Sequence, residues 1–308
     1  MRLFHHAKFD FLGSRRRAYV VSGIALAIGI GSIAVHGGLR FGVDFTGGTL
    51  FDVEFAQPTT VGAVRSAMST TGLENAQIQQ FGDSNDYLIR VPLFEQESGE
   101  SVVQAVRDAL TQAYGADGEA WTSRTDAVGP RVGRELQRGA LMAILISFAL
   151  TLVYLAFRFE WRFGVAAITA TVHDILIAFG FISLFNVEIT LTTVAAILTI
   201  VGYSLNDTIV VFDRIRENIR KYRKDAYVSL LNRSVNETLP RTVLTSGTTA
   251  MTLLALFVLG GQVIRPFALV LILGVVIGTY SSIFVASPVL LEIENRSGHA
   301  TESAKKSR

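Results

Sequence analysis

Apolar residues in this chain gather in long blocks rather than in the short periodic stripes of a soluble fold. Six blocks are long enough to cross a hydrocarbon layer of roughly 30 Å as helices. They cover residues 18–36, 139–157, 163–185, 189–212, 243–260 and 266–291. Gly, Ser and Thr interrupt the last two, so their ends are soft. One buried soluble helix can imitate one such block, but six argue for a membrane-spanning bundle. The first block follows a basic stretch, as in a signal peptide. No small-x-small site follows it, so we expect an uncleaved anchor.

About 100 residues separate the first two blocks, and their pattern changes. "TLFDVEF" (49–55) alternates with period two and predicts a strand. Residues 59–72 open on Thr and close on Gly, which predicts a capped helix. "AQIQQF" (76–81) and "DYLIRVP" (86–92) read as strands around the turn-rich "GDSN". Residues 100–115 have helical spacing and end at Gly115, and 119–129 read as a last strand. The predicted order is βαββαβ, the ferredoxin-like arrangement. The expected fold class is therefore an α-helical integral membrane protein of six spans with a small α+β domain between spans one and two. The expected divisions are a tail with span one (1–38), the α+β domain (39–138), spans two to six (139–292) with a basic loop at 213–241, and a tail (293–308).

Charge sets the orientation. Half of the 308 residues are hydrophobic and 18% are charged, with a mean hydropathy of +0.40. The pI of 8.9 would suit nucleic acid, but the placement of basic residues argues against it. Lys8 and Arg15 to Arg17 precede span one, Arg158 and Arg162 lie between spans two and three, and eight Lys and Arg, Arg241 included, lie between spans four and five. The opposite short loops carry only Arg265. Basic loops mark the cytoplasmic side, so both termini are expected there, in contact with the lipid bilayer surface. The 37–138 segment, with 8 basic against 14 acidic residues, is then exported. Cysteine is absent, which removes disulfides, thiolate metal sites and a Cys nucleophile.

Chemistry is carried by polar residues inside apolar blocks. Ionisable groups in spans are rare and often mark ion or proton paths. Asp207 and Asn206 lie in the inner part of span four, and His173 and Asp174 lie near the middle of span three. A buried carboxyl bonded to Asn206, Ser or Thr is the plainer alternative. Asp213, six residues on, lies about 9 Å along the axis on another face and beside Arg214 and Arg216. We expect it paired at the boundary. Arg241 opens "RTVLTSGTTA" and either snorkels to the headgroups or reaches Asp207. Two stretches flank the exported segment: "FGVDFTGGTL", with Asp44, Gly47 and Gly48, and "VGPRVGREL", with Gly129, Pro130 and Gly133. Both read as tight junctions between a span and a domain.

Taken together, "FGVDFTGGT", "VGPRVG", "HD", "VGYSLNDTIVVFDRIREN", "RTVLTSGTT" and "GTYSSIFVASP" resemble the SecF family, the smaller membrane subunits of the SecDF accessory complex of bacterial protein export. The resemblance covers nearly the whole chain. It implies membership of the resistance–nodulation–division superfamily and location in the cytoplasmic membrane. It implies pairing with SecD, which brings six further spans, association with the SecYEG channel and often YajC, and contact with unfolded preprotein. It implies work drawn from the proton-motive force, or from sodium in some marine bacteria. The family's proton-conducting Asp and Arg fall on Asp207 and Arg241, and a carboxylate of the path comes from SecD.

No nucleotide motif, catalytic triad or metal-ligand cluster stands out, so neither an enzyme nor a cofactor is expected. "SLND" offers no oxygen cage for sodium, which favours protons. A small-molecule exporter of the same superfamily would carry twelve spans in one chain. A non-conducting scaffold would have no need of Asp207.

Overall fold

The period-two stretch after the first apolar block folds as predicted into a strand, and the segments around it form a small sheet with two helices. In the computed structural model, residues 8–80, 85–92, 99–115 and 120–296 are described. The chain divides into a sheet unit, residues 41–143, and a helical unit, residues 1–40 with 144–308.

In the sheet unit, a short helix α2 (Val43–Thr46) leads into β1 (Gly48–Phe55). Then come α3 (Val61–Ser69), β2 (Gln77–Gln80), β3 (Asp86–Val91), α4 (Gly99–Tyr114) and β4 (Ala120–Val128). Thr60 caps α3 by accepting from the Ala63 amide at 3.2 Å, and Gly115 follows α4 with φ of 91°. The strands lie in the order β2-β3-β1-β4, with every neighbouring pair antiparallel. Alternation puts Phe51, Val53 and Phe55 of β1 and Tyr87, Ile89 and Val91 of β3 on the covered face. Val64 and Met68 of α3 and Val106 and Ala109 of α4 close over them. Each large side chain fully buried here stabilises by roughly 1.5–3 kcal/mol. Helix α2 was not anticipated. The turn expected after β2, from 82 to 84, and the expected strand residues 81 and 119 lie outside the described residues.

The helical unit holds α1 (Arg15–Val35), the later part of α5 (Pro130–Arg158), α6 (Trp161–Leu184), α7 (Leu191–Lys221), α8 (Tyr227–Leu259) and α9 (Gly261–Ser281). A π-helical turn, Ser282–Ala286, joins α9 to α10 (Ser287–Arg296). Among the described residues, six helical segments are long and apolar enough to cross a membrane. Helix α1 presents the small residues Ala18, Ser22, Gly29 and Ser32 inward. At Gly29 it crosses α6 at Gly180. A Cβ on either glycine would come within 2.8 or 2.5 Å of the other's Cα. Small residues at a crossing let two backbones meet where apolar burial alone cannot drive association.

The expected basic loop 213–241 is mostly helix. Helix α7 runs on to Lys221 and α8 starts at Tyr227. The reason is packing: Ile215, Leu230, Leu231, Val235 and Leu239 are buried in one cluster with Phe212 and Leu12. That burial outweighs the charge run and carries α8 through Pro240. Helix α5 likewise begins nine residues before its apolar block, with Pro130 at the first helical position.

Phe9 and Leu12, ahead of α1, are tied to α8. Asn236 accepts from the Phe9 amide at 2.9 Å and donates to the Phe9 carbonyl at 2.8 Å. One turn earlier, Asn232 accepts from the Leu12 amide at 3.0 Å, and Leu12 is fully buried.

Candidate functional site: two buried carboxyls in the bundle

Asp174 of α6 sits where α1, α6, α7 and α9 meet, 2% exposed. Its Oδ1 accepts from His173 Nδ1 at 2.9 Å. Its Oδ2 accepts from Ser281 of α9 at 2.6 Å and from Ser204 of α7. His173 Nε2 is hydrogen-bonded to Ser22 of α1 at 3.0 Å, and Ser22 to the Tyr280 hydroxyl at 3.1 Å. Tyr280 in turn donates to the Ala18 carbonyl at 2.9 Å and lies stacked beside the His173 ring. Three donors on one carboxyl satisfy it, and each comes from a fixed place in the packing.

Asp207 of α7 is as deeply buried, at 3% exposure, and is held differently. Its one described hydrogen bond comes from Ser246 of α8, at 3.4 Å. Ser246 Oγ also lies 2.7 Å from Thr279 Oγ1, and Thr279 gives its own proton to the Val275 carbonyl at 2.7 Å. Tyr203 donates to Ser246 at 3.3 Å. Ser246 therefore has one proton and two acceptors, and the nearer acceptor is Thr279. Asp207 is left without a committed donor, in surroundings where an unmet polar group costs free energy.

The other residues singled out in the sequence fall in several places. Arg241 is exposed on α8 and makes no ion pair with Asp207 among the described residues. Asn206 points outward, because the next residue on a helix is turned by about 100°. Asp213 is half-exposed and paired at the bundle end, but with Arg158 at 2.5 Å and Arg216 at 3.7 Å. Arg214 turns instead to Glu217 and Glu237, at 2.6 Å each. Ser204, Ser281, Ser22, Tyr280, Tyr203 and Thr279 were not singled out as partners. They lie on three helices, α1, α7 and α9, so no local spacing links one helix's partners to another's.

The two glycine stretches lie together in the sheet unit. Gly47 and Gly48 have φ of 72° and 135°. A Cβ on Gly48 would come 2.9 Å from the Val91 carbonyl oxygen. A Cβ on buried Gly133, one turn into α5, would come 3.0 Å from the Gly47 nitrogen and 3.1 Å from the Phe45 oxygen. Asp44 lies in the first turn of α2, and Gly129 immediately precedes Pro130, the first residue of α5. No metal-binding group of three or more His, Asp or Glu occurs among the described residues.

Residues 107–296 match the family model described as protein export membrane protein SecD/SecF, C-terminal, and residues 32–59 match the SecD/SecF GG motif. Over 302 residues the chain is 49% identical to the protein translocase subunit SecF of Gemmatimonas aurantiaca, covering 96% of this chain and 90% of that one. The chain belongs to the SecF family. Against the SecF of Escherichia coli O157:H7 the identity is 39% over 296 residues, covering 94% and 90% of the two chains. The crystal structure of SecDF from Thermus thermophilus, described as a translocon-associated membrane protein, is similar with a TM-score of 0.84 and 40% identity. SecDF in its super-membrane-facing form gives a TM-score of 0.69 and 39% identity. This SecF-family chain is matched over 96% and 97% of its own length and spans 40% of each SecDF chain. With six such helices, it is a multi-pass membrane protein.

Proposed function

We propose that this chain is the SecF half of a SecDF motor that uses the proton-motive force to complete preprotein translocation beside the Sec translocon. In this reading SecD supplies the other half, SecYEG the channel, YajC a further contact and unfolded preprotein the load. The protein sits in the bacterial cytoplasmic membrane with both termini cytoplasmic, as the loop charges favour. The exported domain, about residues 39–138, takes the ferredoxin-like arrangement, which the strand order β2-β3-β1-β4 supports. The chain performs no catalysis of its own and needs no cofactor.

One observation carries the reading: Asp207 is buried but uncommitted, whereas Asp174 is buried and fully held. A carboxyl with three fixed donors is suited to holding helices together. A carboxyl facing a hydroxyl whose proton is given elsewhere can exchange its own proton. Protonated, Asp207 donates to Ser246; deprotonated, it competes with Thr279 for the Ser246 proton and attracts Arg241, which lies on α8 with Ser246. Each change shifts the packing of α7 against α8 and α9, and a bistable packing turns such a shift into movement.

The test is complementation. A host depleted of this chain receives wild type, Asp207→Asn or Asp207→Glu, and release of a secreted reporter is followed with and without the gradient. Asn should remove the gradient-dependent part and Glu should keep some of it, at equal protein levels. If Asn secretes as well as wild type, Asp207 is structural and a non-conducting scaffold becomes the better account.

A further inference from the structure

Away from the buried carboxyls, the end of α5 and the last turns of α7 enclose a cavity of about 600 Å³. Pockets that take small molecules span roughly 300–1,000 Å³. This one is lined by Arg158, Asp213, Arg216, Glu217, Arg220 and Lys221, four cations against two carboxylates. Asp213 is held by Arg158 and Arg216, and Glu217 by Arg214, which lies outside the lining. Arg220 and Lys221, in the last turn of α7, are exposed and make no ion pair among the described residues. The cavity therefore keeps a positive surplus.

Its two inner arginines are positioned before anything binds. Arg158 and Arg216 lie over the buried Phe159 ring, 5.1 and 5.5 Å from its centroid. Arg216 also donates to the Arg158 carbonyl at 3.4 Å. A guanidinium carries five N–H donors, and these contacts use only part of the set. Fixed guanidinium forks with free donors suit the oxygens of a phosphate.

The surroundings say where that phosphate comes from. Helix α5 ends at Arg158, so the cavity lies where a span leaves the hydrocarbon. Phe157 and Trp161 beside it are 89% and 63% exposed, and Trp at the end of a span marks the headgroup level. Leu150, Val153, Tyr154 and Phe157 recur at helical spacing and form an exposed apolar face of α5 that stops one residue short of Arg158. Only 6% of the apolar window of α5 is buried. A cationic cavity at the foot of a bare apolar face fits a ligand with a phosphate at one end and hydrocarbon at the other. A free phosphate would leave the face unused.

We propose that this cavity holds the headgroup of an anionic phospholipid whose acyl chains lie along α5. The phosphodiester accepts from Arg158 and Arg216, while Arg220 and Lys221 complete the neutralisation. Basic pockets between the ends of spans recur as sites of this kind. The bound lipid joins the foot of α5 to α7. The inference stands apart from the role of Asp207.

The full chain in a neutral detergent, unfolded by heat against added phosphatidylglycerol, phosphatidylcholine or inorganic phosphate, provides the test. A ligand that binds only the folded state raises the midpoint as its concentration rises. Phosphatidylglycerol should raise it, and the other two should not. Arg220→Gln with Lys221→Gln should weaken the apparent affinity for phosphatidylglycerol by about tenfold or more. Arg223→Gln with Lys224→Gln removes the same charge just outside the cavity and should leave that affinity nearly unchanged. Lys221→Gln alone, with a smaller loss, serves if the double variant gives too little folded protein. Equal protection by phosphatidylcholine overturns the proposal, since apolar filling of the face then suffices. Equal loss in the two double variants overturns it in favour of diffuse surface attraction. Equal protection by inorganic phosphate overturns it in favour of a free anion.

Discussion

Asp174→Ala is expected to unfold the bundle more easily while Asp207→Asn is expected to leave it standing. Removing the Asp174 carboxyl strands Ser204, Ser281 and the His173 Nδ1–H in a buried place on three helices. Hydrogen bonds between membrane helices are worth about 0.6 kcal/mol on average and up to about 1.7. Two such bonds, from Ser204 and Ser281, put the loss at roughly 1–3.5 kcal/mol, and the stranded His173 N–H adds to it. Asp207 has one long contact, so the isosteric Asn should cost less than about 1 kcal/mol. The assay is denaturant unfolding of the purified chain in detergent micelles, followed by far-ultraviolet circular dichroism. Secretion supplies the opposite ranking, with Asp207→Asn the more harmful at equal protein level. A loss under about 1 kcal/mol for Asp174→Ala, or a larger loss for Asp207→Asn than for Asp174→Ala, would refute the division of labour between the two carboxyls.

Gly48→Ala should destabilise the sheet unit by roughly 1–3 kcal/mol, because φ is 135° and the new methyl meets the Val91 carbonyl oxygen; protease resistance of residues 41–143 in the intact protein reports it, and unchanged resistance would show that the turn relaxes freely. Asp213→Asn should change unfolding stability by less than about 1 kcal/mol despite its two arginine partners, because both ends of the Arg158 pair are about 40% exposed; a larger loss would mean the pair is far better shielded than its exposure implies.

The apolar blocks announced six membrane helices because hydrocarbon thickness demands an unmistakable length of greasy chain. Asp207 and Asp174 stood out for the complementary reason, a charge where charge is expensive. What separates them was hidden: the donors to Asp174 come from α6, α7 and α9, and the competitor for Ser246 comes from α9. Residues this far apart in the chain leave no local trace. Arg241 was open between the headgroups and Asp207 in the sequence, and its side chain is exposed. The helical extensions of α7 and α8 were hidden by Lys, Arg and Pro240, which read as a loop. Leu230, Leu231, Val235 and Leu239 do recur at helical spacing there, and that weaker signal was the correct one. Helix α2 has only four residues, too few for any periodicity.

Thirty-three residues make α8 about 50 Å long, well beyond the roughly 30 Å of hydrocarbon. It is therefore a lever with one arm outside the bilayer. Ser246, the contact to Asp207, is the natural fulcrum, and Tyr227 at the far end, packed against the cluster of Leu230 and Leu231, lies about 28 Å away. A tilt of about 10° at the fulcrum swings that end by about 5 Å, nearly one helical turn. Asn232 and Asn236 grip Phe9 and Leu12 along that arm. Phe9 and Leu12 travel with it, so the entry to α1 rides on the same stroke.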